Sequence, residues 1–193
     1  MGFVKPLNIL MLSSWYPNRE DPFLGNFVKR HCGAVALKHR VWVIHAVGVD
    51  SNAKVGIEKE KTGNLTEIWI YFKRSFLSPL NLARRQSAVL KVIREENLRF
   101  DLVHAHVLFP LAPMFAAISK KVNAPWVFSE HWSGWHPKFR PAISRLRWKF
   151  FLSSARKAAM GFPVSENLSE SIENELPDIP LYIVPNVVEP AFF

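Results

Sequence analysis

Cysteine is nearly absent. Cys32 stands alone among 193 residues, which excludes an intramolecular disulfide framework and a cysteine-rich zinc module. A reducing compartment is the simpler setting. Acids are scarce as well: 16 Asp and Glu face 25 Lys and Arg, for a formal charge of +9. That excludes a solvating acidic chain and favours an anionic partner, whether phosphate, nucleic acid or membrane surface. No G-x-G-x-x-G is present, which counts against an ordinary NAD-binding Rossmann domain. No internal repeat or low-complexity tract occurs. No run reads as a spanning helix, because His104, His106, Pro110 and Pro113 interrupt the longest uncharged stretch, 102–119. The apolar run 7–12 is too short for a signal-peptide core and lacks a cleavage pattern. The expected protein is cytoplasmic, soluble or peripheral at the inner membrane face.

What is present suffices for one domain. Hydrophobic residues make up 49% and charged residues 21%, so a core can be buried. Apolar strand-like runs alternate with helical periodicity. Strands are expected at 7–12, 41–44, 68–72, 102–105, 126–129, 162–165 and 181–184. Pro163 argues against a central place for the sixth. Helices are expected at 26–38, 81–97, 111–121, 143–160 and 166–176, with Ser165 as N-cap of the last. The polar stretch 50–64, with Gly56 and Gly63, reads as a loop or hairpin. Repeated strand–helix–strand units with continuous apolar strands imply an α/β, Rossmann-like, doubly wound and mostly parallel sheet. Ligands of such sheets collect beyond the carboxyl ends of the strands.

Four constellations stand out. Trp15 and Tyr16 follow the first strand, and Gly25-Asn26 opens the next helix. A glycine there either permits a turn or lets an anion approach the helix N-terminus. His104 and His106 share one side of a strand, either lining a cleft or hydrogen-bonded in the core. No further ligands complete a metal site around them, so none is expected. Residues 129–136 crowd Glu130, His131, Trp132 and further aromatic and hydroxyl groups at a strand end. Indole faces stack on sugars, and imidazoles and carboxylates bond hydroxyls. Finally, 132–165 contains seven bases and no acid. On a helical projection Arg145, Lys149 and Arg156 fall in one sector beside Leu152. Ile143, Leu146, Phe150 and Ala158 lie opposite. The stretch is either a solvated face or an anionic-membrane surface. Without a nucleic-acid motif, no nucleic-acid partner is expected.

Ser14-Trp15-Tyr16-Pro17 with Gly25-Asn26-Phe27-Val28 begins a familiar series. Asp101-Leu102-Val103-His104-Ala105-His106 and Glu130-His131-Trp132-Ser133-Gly134-Trp135 continue it. Pro163-Val164-Ser165-Glu166 and Val184-Pro185-Asn186-Val187-Val188-Glu189 complete it. In this order, over nearly the whole chain, these segments resemble the N-terminal domain of family-four retaining glycosyltransferases with the two-domain GT-B fold. Two positions depart from the pattern. A single Gly25 stands where two adjacent glycines are usual, and Val187 and Glu189 replace Gly and Asp of the closing motif.

The resemblance implies that residues 1–184 form an acceptor-binding domain and 185–193 begin a linker to a donor-binding domain. Gly25 and Asn26 would face the donor phosphate, and His131 would sit at the reaction centre. Trp15, Tyr16, His104, His106, Glu130, Trp132 and Ser165 would line the substrate cleft. The donor would be a nucleotide sugar, a co-substrate bound mainly by the second domain, with no other cofactor. The acceptor would be a polysaccharide or glycolipid. The family's donor motif, two glutamates with seven residues between them, is missing from the twelve glutamates here. The expectation is therefore a fragment inactive by itself. The alternatives are a stand-alone phosphosugar- or lipid-binding module, or a sugar-nucleotide epimerase of GT-B type.

Overall fold

The structure is a computed structural model that describes residues 5–187. The strands are β1 Asn8–Ser13, β2 Arg40–Val49, β3 Gly56–Thr62, β4 Leu65–Lys73, β5 Leu102–His106, β6 Trp126–Glu130 and β7 Met160–Pro163. The helices are α1 Asn26–Ala36, α2 Ser78–Glu95, α3 Ala112–Val122, α4 Arg145–Ala155 and α5 Glu166–Glu173. They form one seven-stranded sheet in the order β3-β4-β2-β1-β5-β6-β7. Every pairing is parallel except the β3–β4 hairpin. That hairpin occupies much of the polar stretch left open as a loop or hairpin.

Side chains of β1 show why both faces are covered. Leu10 and Leu12 enter a core shared with α2, α3, α4 and α5, whereas Ile9 and Met11 pack with Val28 and Cys32 of α1. Alternation along a strand sends neighbours to opposite layers, and a strand buried on both sides is continuously apolar. Pro163 falls on β7, which pairs only with β6 in the sheet ladder, so its missing N–H costs little. The expected strand 181–184 is reduced to one bridge, Gly161 to Leu181. The linker expectation at 185–193 lies outside the described residues beyond Val187.

The expected helix 143–160 is corrected. It spans only Arg145–Ala155, N-capped by the Ser144 hydroxyl, and the chain is already in β7 by Met160. Its core face is Trp148, Phe151, Leu152 and Ala155. Leu146 and Phe150, expected on the apolar side, are 80% and 60% exposed. Aromatic volume decided this: Trp148 and Phe151 pack on Trp135, and pairing these large rings outweighs burying Leu146.

The chain turns from β1 toward β2 on one side and later places β5 on the other. The topological switch point therefore lies between β1 and β5, at the ends bearing Ser13 and His106.

Candidate functional site

Gly25 holds φ +67°, and a Cβ there would lie 2.6 Å from the Trp15 carbonyl oxygen. Only glycine fits this left-handed, crowded position. Gly25 is thereby the residue that starts α1, its carbonyl accepting the Val28 N–H at 2.8 Å. The first turn of α1 carries no acid and no side-chain cap, so its positive dipole end is not neutralised locally. Gly25 is buried and Asn26 is exposed.

Beside it, four imidazoles meet. His104 and His106 stack at 4.4 Å between ring centroids, and His106 stacks on His131 at 5.8 Å. His31 of α1 closes the group, 5.3 Å from His131. The His104 Nε2 pairs with the Ser129 hydroxyl at 2.9 Å, and His106 Nδ1 lies 3.5 Å from His131 Nε2. Asn186 reaches in from the chain beyond the sheet. Its Oδ1 is 2.9 Å from His131 Nδ1 and 3.4 Å from His31 Nε2. Phe27 covers His131 at 4.5 Å. Burial disfavours the imidazolium throughout: His104 is pushed down to about 3, His131 to about 4, His106 well down and His31 down. Neighbouring imidazoles add to this at His104, His106 and His131. At neutral pH these rings are uncharged hydrogen-bonding groups. Among the described residues no group of three or more His, Cys, Asp or Glu is arranged to hold a metal ion.

Several expected cleft residues have structural duties. Tyr16 is fully buried, its hydroxyl donating to Glu67 at 2.6 Å. Desolvation pushes that phenol far up, and Lys29 pairs with the same carboxylate at 3.1 Å. Glu130 is also fully buried. Its carboxylate accepts the N–H groups of His131, Trp132 and Leu108 at 2.9, 3.0 and 3.0 Å. Burial raises its pKa against those donors. Tyr16 and Glu130 are therefore corrected from cleft lining to supports: Glu130 fixes the loop that carries His131. Ser165 is exposed and caps α5 through the Leu168 N–H at 3.4 Å. Trp132 stacks on Phe109 at 4.8 Å, and Trp15 sits edge-on to Phe27 at 6.3 Å. Arg145 and Lys149 are exposed on α4, but Arg156 follows its last turn as the C-cap and donates to the Glu175 carbonyl at 3.2 Å.

Sequence reasoning did not single out His31 or Arg85. Both carry a readable signal: each interrupts an apolar helical stripe, Phe27-His31-Val35 and Leu82-Arg85-Val89. Asn186 was seen only as part of a motif.

The family model described as Glycosyltransferase Family 4 matches residues 28–192. TuaC of Bacillus subtilis (strain 168), named as a teichuronic acid biosynthesis glycosyltransferase, is 32% identical over 87 residues, covering 45% of this chain and 22% of its own length. Among solved structures, one titled for trehalose-6-phosphate from E. coli bound with UDP-2-fluoro glucose has a TM-score of 0.67 and 16% identity, over 95% of this chain and 50% of that one. A sucrose-phosphate synthase structure from Thermosynechococcus elongatus has a TM-score of 0.62 and 13% identity, over 94% and 90%. At such identities the structural likeness shows the fold alone. The chain thus spans about a fifth of TuaC and half of the E. coli chain. Among the described residues no helix is long and apolar enough to cross a membrane.

Proposed function

Because the chain belongs to Glycosyltransferase Family 4, we propose that it forms the acceptor-side domain of an enzyme that transfers a sugar from a nucleotide sugar to a glycan or lipid-linked acceptor, retaining anomeric configuration. The observation that carries this reading is the placement of the Gly25-started helix and the His131 cluster beside one another at the carboxyl ends of β1, β5 and β6. An uncapped helix N-terminus favours the departing diphosphate, whose negative charge grows in the transition state. Neutral His131 would hydrogen-bond the transferred sugar or the attacking group by exchanging one of its present ring-nitrogen partners, Asn186 or His106. No metal or further cofactor is part of the reading. Donor binding would fall mainly to a second α/β domain joined through residues 185–193. Residues 1–184 would not turn over alone. The cationic face of α4, Arg145 and Lys149, would lie against anionic lipid, keeping the enzyme peripheral at the inner membrane face.

The test uses the natural full-length protein, a panel of sugar nucleotides and extracted lipid or glycan acceptors. The expected result is acceptor-dependent nucleoside diphosphate release and a product whose anomeric proton keeps the donor's configuration. His131→Ala should lower kcat at least 100-fold with an unchanged melting curve. Sugar-nucleotide conversion that needs no acceptor would select the epimerase instead. Inversion at the anomeric carbon would sink the retaining assignment.

A further inference from the structure

A cavity of about 630 Å³ opens at the switch point, between the loop after β1, the start of α2, the loop after β5 and α4. That size suits a small-molecule site, which spans roughly 300–1,000 Å³. Its walls are apolar, formed by Trp15, Leu82, Phe109 and Phe151 among others. Three polar groups break that lining. The Ser14 hydroxyl is buried without a hydrogen-bond partner. Arg85 donates to the Ala46 carbonyl and lies 5.6 Å from the Phe72 ring, yet forms no ion pair among the described residues. Burial and the nearby Arg74 lower its pKa, but a guanidinium stays charged, so the site holds an uncompensated cation. His45 supplies no counter-charge, being neutral with its pKa pushed down to about 3 by burial and then by Arg85 itself. Arg147 of α4, exposed and likewise without an ion pair, adds a second cation.

The rim carries the other half of the signal. Phe76, Leu77 and Leu80, which bracket Pro79 of the cavity wall, are 95%, 51% and 39% exposed. Across the opening, Phe150 of α4 lines the cavity and is exposed, and Leu146, one turn earlier on the same helix, is exposed as well. Soluble surfaces rarely gather large apolar side chains on two elements around one opening unless something apolar covers them. A free phosphosugar would satisfy the arginines and leave this rim bare.

We propose that this cavity binds a long-chain lipid carrying a phosphate, with Arg85, Arg147 and Ser14 holding the phosphate and the aromatic walls and rim taking the hydrocarbon. The proposal rests on the acceptor reading above and gives that acceptor its chemical class. Arginine forks match phosphate oxygens in a way that a single ammonium does not.

Calorimetric titration of the chain with farnesyl phosphate, farnesol, glucose 6-phosphate and inorganic phosphate tests it. Farnesyl phosphate should bind at least tenfold more tightly than farnesol, with no saturation by the two water-soluble phosphates. Arg147→Ala, a surface change, should weaken farnesyl phosphate five- to tenfold and leave farnesol unaltered. Arg85→Met should do the same, with circular dichroism melting as the check on folding. Leu82→Trp should fill the cavity and remove both ligands. Equal binding of phosphate and alcohol would overturn the phosphate subsite. Glucose 6-phosphate binding as tightly as farnesyl phosphate would assign the cavity to a soluble phosphosugar. Farnesyl phosphate binding without any sugar transfer by the full-length enzyme would keep this site and remove the transferase reading. Transfer to a water-soluble acceptor, with no farnesyl phosphate binding, would do the reverse.

Discussion

At the scale of single residues, glycine placement and burial decide most of the site. Gly25→Ala should be destabilising by about 2 kcal/mol or more, since it combines a positive φ with a Cβ against the Trp15 carbonyl. A urea midpoint unchanged from wild type would contradict that account. Gly134 is constrained differently: a Cβ there would meet the Trp132 ring at 2.1 Å, so the Trp132–Phe109 stack depends on its absence. Which residues come together at the candidate site was partly legible. His104 and His106 share one strand side by period two, and the structure indeed stacks them. What could not be read is which polar groups turn inward. The resemblance grouped Tyr16 and Glu130 with the cleft, but partners distant in sequence, Glu67 and Leu108, draw them into the interior. His31 meets His106, His131 and Asn186, the last 155 positions away, only once the chain is folded.

At the scale of elements, strands were easier to find than helix faces. The parallel strands are continuous apolar runs, which few other structures produce. Helix α4 carries two apolar sets, Trp148-Phe151-Leu152-Ala155 and Leu146-Phe150, so its orientation is settled by the aromatic partners waiting in the core. Two substitutions five residues apart on α4 should separate those faces. Phe151→Ala should be destabilising by about 3–5 kcal/mol, because the ring is buried against Trp135 and Trp148. Leu146→Glu should leave the melting temperature within a degree or two of wild type yet reduce co-sedimentation with anionic vesicles. Equal loss of stability in both variants would show that Leu146 packs inward after all. Retained vesicle binding by Leu146→Glu would remove α4 from the proposed membrane contact.

At the scale of the whole molecule, buried histidines couple folding to pH. His31, His45, His104, His106 and His131 are all held below 6.5 by burial. The unfolded chain then binds more protons than the folded one as pH falls below 6.5. Stability should be full from about pH 7 to 8, fall at higher pH as the unfolded chain loses protons that buried Cys32 and Tyr16 keep, and decline from 6.5 toward 3, where His45 and His104 titrate in the folded state. Glu130, shifted upward, works in the opposite sense, one group against five. Thermal midpoints measured from pH 8 to 4 check this; a midpoint that rises on acidification would contradict it. The Asn186 amide has one more consequence. With its Oδ1 accepting from His131 Nδ1 and His31 Nε2, neutral His131 must leave Nε2 bare. His106 must then present its proton at Nδ1, which leaves its own Nε2 bare, and that atom has no partner. A single amide thus gives the row of rings a direction, like a line of compass needles set by one magnet. Turning that amide over would reverse the line and move a proton from one edge of His131 to the other without any change in charge.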